Sequence, residues 1–407
     1  MNLSKSRTIA WTVWTIASMF YAYQYILRVM PNIMLEDILQ QFNIGAATFG
    51  QFSGVYYLGY SLMHLPIGIM LDRYGPRKVM SGCILLTVVG LMPLLFADHW
   101  IYPIAGRFLI GLGSSAAILG VFKIVRMMFS EKRFPRMLSF SVTIGLIGAI
   151  YGGGPVSYMS ELFGYQKVIQ IFALGGVILA FITYWIVPNL KSPSEKTVIA
   201  DIKEVLSNRR VIWTCLFAGL MVGPLEGFAD VWGTAFLTHV YGFEGALAAS
   251  LPSMIFIGMC FGAPVLSLVA EKVGSYLATV IGAGIIMTVS FSLLIFWHLT
   301  SGILSISFVL VGVCCAYQIL AIYKASTYVR PQIAGLTTAI ANMIIMTFGY
   351  TFHVIIGSII NASGGPNVPQ ALVYGIAVIP AALFLGVSGF LVLLKKEPQT
   401  EATNINQ

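Results

Sequence analysis

Charge is what this sequence has least of: only 9% of its 407 residues are Asp, Glu, Lys or Arg, against about 25% in soluble globular domains. A chain this poor in charge cannot clothe itself in water, which excludes an ordinary soluble domain. Chemistry-bearing clusters are missing too. The five cysteines, Cys83, Cys215, Cys260, Cys314 and Cys315, all fall inside apolar stretches, where they read as small core residues and exclude a disulfide framework. No Cys/His group has zinc spacing and no Gly-x-x-x-x-Gly-Lys-Ser/Thr phosphate loop occurs, so neither a metal site nor ATP-driven work is expected. No nucleophile stands beside a base, so no catalytic residues and no cofactor are expected. A cleavable signal peptide is not expected either. Lys5 and Arg7 precede a run from Ile9 to Val29 that is too long for a signal core and has no small-residue cleavage site.

What is present is apolar: 58% hydrophobic and 13% aromatic residues with 41 glycines, and a mean hydropathy of +0.87. Runs of about 20 apolar residues fit membrane-crossing helices, whereas strands of a barrel would alternate in polarity. Reading these runs against polar breaks predicts spans near 9–30, 47–71, 79–97, 101–125, 137–159, 167–188, 211–239, 246–270, 276–297, 303–324, 333–360 and 369–394. The longest charged segment, with Lys191, Glu195, Lys196, Asp201, Lys203, Glu204, Arg209 and Arg210, falls between the sixth and seventh. The expected fold is therefore an all-α membrane protein of twelve transmembrane helices, six on either side of this segment. The expected boundaries are 1–188 and 211–407, joined by a cytoplasmic linker at 189–210.

Basic residues set the orientation, because short cytoplasmic loops collect Lys and Arg. With a cytoplasmic N-terminus, every Lys and Arg falls on that side except Lys167 in an outer loop and Arg28 and Arg107 within spans. Both termini are then cytoplasmic. The net charge of +8 reflects topology and contact with anionic lipid, with no need of nucleic acid.

One stretch concentrates charge and glycine: Gly68, Asp72, Arg73, Gly75, Arg77 and Lys78, between the second and third spans. Ionised side chains this dense cannot lie in lipid and mark a polar turn. The pattern Gly-x-x-x-Asp-Arg-x-Gly-x-Arg-Lys resembles the loop between the second and third helices of major facilitator superfamily transporters. Arg107-Phe-Leu-Ile-Gly111-Leu-Gly113 in the fourth span is similar to that superfamily's Arg-x-x-x-Gly-x-Gly, and the resemblance covers nearly the whole chain. In the second half Glu271, Lys272 and Gly274 stand where Asp72, Arg73 and Gly75 stand in the first, and Gly312 and Lys324 match Gly111 and Lys123 in spacing. Tyr23 to Pro31 and Phe228 to Gly233 look like a bacterial branch near the lysosomal dipeptide carriers and the nutrient carriers of intracellular pathogens. Gly152-Gly-Gly-Pro155 is reminiscent of the antiporter motif, but its upstream glycine spacing does not match.

The resemblance implies two parallel, pseudo-symmetric six-helix bundles, alternating access about a midplane site, and a cytoplasmic latch. In the latch Asp72 meets the positive end of the eleventh span near Gln332, while Arg73 and Arg77 add inter-helix pairs. Glu271 and Lys272 are the second half's counterpart.

Ionisable residues within spans are costly and so become site candidates. Arg28 has Gln24 one turn before it and Tyr21 and Tyr25 nearby. Its planar fork suits a carboxylate, although pairing with Glu36 or Asp37, or reaching the outer interface, is the other reading. Arg107 either gates or polarises a coupling acid, or pins helices together. Lys123 and Lys324 read as interfacial anchors. Glu226 and Asp230 lie at i and i+4 beyond Gly223-Pro224, which disfavours simultaneous ionisation and suits proton uptake; the alternative leaves one acid in outer water or paired with Lys167. Tyr56, Tyr57, Tyr60, Trp232, Tyr317, Gln318, Asn342 and Tyr350 are candidates to complete a cavity, each also readable as packing, and His64 and His353 are single histidines.

The resulting expectation is a secondary active transporter in the cytoplasmic membrane, working as a monomer. It moves an amino acid, short peptide or organic anion by proton symport. Drug or siderophore efflux by proton antiport is the alternative within transport, and a non-transporting receptor or accessory subunit the alternative outside it.

Overall fold

A computed structural model describes residues 3–130, 133–189 and 198–395, and among these residues every regular element is helical. Lys132, Lys191, Lys196 and Lys396 and part of the expected linker, 190–197, lie outside the described residues. The all-helical form follows from lipid, which offers no partner for backbone N–H and C=O and so forces each span to bond within itself.

Among the described residues, ten helical segments are long and apolar enough to cross a membrane, from Pro76–Phe96 through Pro369–Lys395. Two more helices, Leu3–Val29 and Ala46–Tyr74, have 27 and 29 residues, about 40 Å of helix against a hydrocarbon core of about 30 Å. These two are more polar because they carry the tyrosines, Gln24, Arg28 and His64 described below. Together they make the twelve helices that the apolar runs predict.

Several spans are not continuous. The fifth breaks between Phe134–Gly152 and Gly154–Phe163, at its glycine run and at Pro155, which has no N–H to give. The twelfth breaks between Pro369–Ile376 and Val378–Lys395, where Pro380 cannot bond back to Ile376. The seventh is Arg209–Gly219, a π-helix Gly223–Trp232, and Gly233–His239. Two short helices lie outside the expected spans. Leu35–Phe42 places Glu36 and Asp37 in its first turn and ends at Asn43 in the left-handed region with φ 48°, acids favouring the positive helix end. Val198–Ser207 precedes the seventh span.

The chain divides into two compact units, Met1–Ile44 with Val55–Lys196, and Gly45–Gly54 with Thr197–Gln407. Each contains the same helix contact. In the first, a Cβ on Gly111 would lie 2.0 Å from the Tyr56 carbonyl oxygen, and one on Gly59 would lie 2.4 Å from that of Phe108. In the second, Gly312 meets the Ile255 carbonyl oxygen at 2.0 Å and Gly258 that of Val309 at 2.0 Å. Residues 56 and 59 map to 255 and 258 by an offset of 199, and 108 and 111 to 309 and 312 by an offset of 201. Only glycine allows the backbones this close. The same offsets carry Asp72 to Glu271, Gly75 to Gly274, Lys123 to Lys324, and Arg107 to Phe308. Gly75 and Gly274 also share positive φ, at 83° and 70°. The echo read from a few residues is thus a repeated packing unit whose two copies differ at the buried arginine.

Candidate functional site

In the first unit the site begins with a proline. Leu3–Val29 ends just before a 3-10 turn, Met30–Asn32, and Pro31 has no N–H for the carbonyl of Leu27, four residues earlier. Arg107 supplies the missing donor. Its Nη1 donates to the Leu27 carbonyl, its Nη2 donates to the Arg28 carbonyl at 2.7 Å, and its Cζ lies 4.8 Å from the Tyr56 ring centroid. Arg107 is buried, and two backbone carbonyls and an aromatic face offset much of the cost of holding a cation there. Of the two roles open for Arg107, this geometry favours the helix pin.

The pin positions Arg28, also buried, in the last turn of its helix. Its Cζ lies 5.1 Å from the ring centroids of both Tyr25 and Tyr57, within the range of cation–π attraction to both rings. The Tyr56 hydroxyl donates to Gln24 Oε1 at 2.7 Å. Tyr21 meets Tyr25 edge-on at 5.2 Å, Tyr56 stacks on Tyr60 at 6.1 Å, and Tyr60 lies 5.0 Å from the His64 ring. The structure therefore brings Gln24, Tyr25, Arg28, Tyr57, Tyr60 and Arg107 into one cluster. Tyr56 is its hub, touching Gln24, Arg107, Tyr57 and Tyr60.

In the second unit the π-helix Gly223–Trp232 follows the Gly223-Pro224 break, and every residue in it is buried. Glu226 and Asp230 are both at 0% exposure, which removes the alternative that one of them reaches outer water. A π turn bonds i to i+5, so its acids sit on a wider turn than the α-helical one expected, still on one side; such turns recur at functional sites. Cys315 and Tyr317 lie within electrostatic reach of Glu226. The Tyr317 hydroxyl donates to the Ala218 carbonyl at 2.6 Å. Phe228 packs on Phe291 and on Phe308 at 5.3 and 5.4 Å, the latter standing where the first unit has Arg107. Trp232 meets Phe49 at 5.7 Å, and its indole N–H and the Gln318 side-chain N–H₂ find no hydrogen-bond partner among the described residues. Asn342 is half-buried on Ala334–Ala362 and makes no side-chain hydrogen bond among the described residues.

The polar turn has its own geometry. Asp72 pairs with Lys123 Nζ at 2.5 Å, the lysine being the more buried partner. Gly75 at φ 83° turns the chain into Pro76–Phe96, a conformation glycine adopts without strain. Arg77 Nε donates to the Val187 carbonyl at 2.7 Å, and Arg73 lies over the Tyr74 ring at 5.6 Å. Lys78 is exposed, as are Glu271 and Lys272, whereas a Cβ at Gly68 would meet nothing within 4 Å. Lys324 is buried 5.3 Å from the Tyr328 ring.

Sequence reasoning missed the Asp72–Lys123 pair, because nothing local links residues 51 positions apart. It also missed Arg330, whose Nε donates to both Glu204 oxygens at 3.0 Å and whose Nη2 donates to Asp201 at 2.7 Å, fastening Val198–Ser207 to the turn after the tenth span. Asn208 adds to this, donating to the Tyr328 carbonyl at 2.8 Å.

The family model for the Major Facilitator Superfamily matches residues 14–352. The putative metabolite transport protein NicT of Pseudomonas putida is 23% identical over 193 residues, 44% of this chain and 43% of that protein, so this match spans less than half of either. The probable galactarate/D-glucarate transporter GudP of Bacillus subtilis is 22% identical over 97% of this chain and 96% of its own. Among solved structures, a mutant of the nucleoside transporter NupG has the same fold, with a TM-score of 0.79 at 14% identity over 94% of this chain and 99% of that one. A multi-pass helical chain with an internally repeated packing unit, matched over most of its length by transporters, is itself a transporter and not an enzyme, and it belongs to the Major Facilitator Superfamily.

Proposed function

We propose that this transporter is a secondary active carrier that moves a small organic anion across the cytoplasmic membrane by alternating access, coupled to proton symport. The observation that carries the reading is Arg28, a buried guanidinium with its Cζ 5.1 Å from the ring centroids of both Tyr25 and Tyr57. A guanidinium held in this way presents a fork suited to a carboxylate, as in an organic acid or the C-terminus of an amino acid or short peptide. Gln24, Tyr57 and Tyr60 line the same cluster, with Arg107 as positioning residue. The naming of GudP for galactarate and D-glucarate agrees with an acidic solute.

Glu226 and Asp230 are the proton carriers in this reading. Both are fully buried on one short π-helix, and Trp232, Tyr317, Gln318 and Asn342 are the candidate solute contacts of the same unit. The Asp72–Lys123 pair, with Gly68, Arg73, Gly75, Arg77 and Lys78 around it, acts as the cytoplasmic gate of the first half; Glu271 and Lys272 act in the second. The chain acts as a monomer with both termini cytoplasmic.

The test uses purified protein in proteoliposomes with the outside made acidic, and labelled hexanoate and adipate as probe solutes. Wild type should accumulate at least one acid above equilibrium. Arg28→Ala should abolish uptake and exchange alike, while Glu226→Gln and Asp230→Asn should abolish accumulation and spare exchange. Undiminished gradient-driven accumulation in both acid variants would remove the coupling assignment, and undiminished uptake by Arg28→Ala would remove the anchor.

A further inference from the structure

The second-span helix Ala46–Tyr74 carries more polar chemistry than one carboxylate at Arg28 requires. Tyr57, Tyr60, Ser61 and His64 fall at i, i+3, i+4 and i+7, one face of a helix. Ser61 is 4% exposed and His64 6%, and neither Ser61 Oγ nor His64 Nδ1 has a hydrogen-bond partner among the described residues. Leaving such groups unpaired in an apolar interior is unfavourable, and in a native structure points to a missing partner such as a ligand or ordered water. The pair is continuous with the cluster around Arg28. Arg28 lies on the Tyr57 ring, Tyr57 meets Tyr56 at 5.4 Å, Tyr56 stacks on Tyr60, and Tyr60 lies against His64 at 5.0 Å. From Tyr57 to His64 the helix rises ~10 Å.

We propose that Ser61 and His64 form a second polar anchor, so that the carried anion is two-ended, with one carboxylate on Arg28 and a second oxygen-bearing group on Ser61 and His64. The inference rests on the assignment of Arg28 as carboxylate anchor and adds a length and a second polar end to the substrate. A short diacid cannot bridge the two anchors, and a monoacid of sufficient length leaves the second one unpaired, a mismatch that buried polar sites penalise strongly.

The test compares dissociation constants of succinate, adipate, suberate and hexanoate for the purified full-length protein by titration calorimetry, with His64→Ala, His64→Gln and Ser61→Ala. Adipate or suberate should bind at least about tenfold more tightly than both hexanoate and succinate, the scale of one hydrogen bond to a charged group. His64→Ala should bring the longer diacids to the hexanoate value while leaving hexanoate unchanged, and His64→Gln, which keeps a donor and an acceptor, should restore part of the preference. Equal binding of hexanoate and the longer diacids by wild type overturns the second anchor and leaves Arg28 standing. Equal weakening of hexanoate and adipate by His64→Ala also overturns it, since that is the mark of a merely structural histidine. Binding of none of the four acids overturns both assignments. The wild-type comparison decides the matter even if a variant fails to fold.

Discussion

Substituting Gly111 by alanine tests both the repeated packing unit and its connection to the site. The added Cβ would lie 2.0 Å from the Tyr56 carbonyl oxygen and 3.0 Å from the Tyr60 nitrogen. An ordinary contact needs at least 3.4 Å, so the two helices must part by more than an ångström or the contact must break. The obstructing atoms are backbone and cannot rotate away. Overpacking of this kind costs about 1–3 kcal/mol, with the upper end expected here, against a gain of about 1 kcal/mol from replacing a helical glycine by alanine. A net loss of about 2 kcal/mol corresponds to a Tm lowered by roughly 4–8 °C in a unit of this size. The displaced residue is Tyr56, which holds Gln24 and covers Arg107, so hexanoate binding at Arg28 should weaken as well. Gly312→Ala meets the Ile255 carbonyl oxygen at the same 2.0 Å; it should lower Tm similarly and leave hexanoate affinity intact. Gly68→Ala, with nothing within 4 Å, should leave Tm unchanged or raised. Differential scanning fluorimetry and calorimetry on the three variants suffice. Wild-type stability and affinity in Gly111→Ala would refute the helix contact, and a large Tm loss in Gly68→Ala would refute the reasoning that sorts the glycines.

Three further outcomes follow from other parts of the molecule. Arg28→Lys keeps the charge and the aromatic contacts but loses the fork, so hexanoate should bind roughly 10- to 100-fold more weakly, the value of one hydrogen bond to a charged group; equal affinity on calorimetric titration would contradict the bidentate reading. In a double-mutant cycle, Asp72→Asn and Lys123→Gln should couple by about 1 kcal/mol, because the acid is 42% exposed and solvent screens the pair. Asp72→Asn should also slow turnover in proteoliposomes, and wild-type turnover would exclude a gating role. Arg330→Gln removes three charge-assisted contacts from Val198–Ser207, so amide hydrogen exchange in that helix should accelerate several-fold while the spans keep their protection; unchanged exchange would show that its apolar face alone holds it.

The parts of this fold that lipid dictates are readable in the sequence. Spans show because about 20 consecutive residues must be apolar, and the turn from Gly68 to Lys78 shows because charge is excluded from those spans. Arg28 and Arg107 stand out for the same reason, as cations where cations are costly. The division of labour between them is not readable. It depends on Pro31 leaving the Leu27 carbonyl without a helical donor and on Arg107 arriving from a helix 80 positions away. Likewise Gly59 and Gly258 look like any glycines in an apolar run until the opposing carbonyl oxygens are seen. In the sequence the π-helix carrying Glu226 and Asp230 reads as an α-helical turn, because the two acids fit either period and Gly223-Pro224 marks only where the helix is interrupted. The spacing of Lys123 points to the membrane interface, and its partner Asp72 refines that placement. His64, a lone histidine in the sequence, gains meaning only from the tyrosine ladder that joins it to Arg28.

In the proposed function an organic anion and protons cross together, the first through Arg28 and the second through Glu226 and Asp230. Proteoliposomes loaded with a pH-sensitive dye, at equal pH inside and out, measure this directly when external adipate is added. Acidification of the lumen by wild type, absent in Arg28→Ala and absent in Glu226→Gln and Asp230→Asn despite retained adipate exchange, is the predicted result. Entry of labelled adipate with no accompanying change in luminal pH would contradict it.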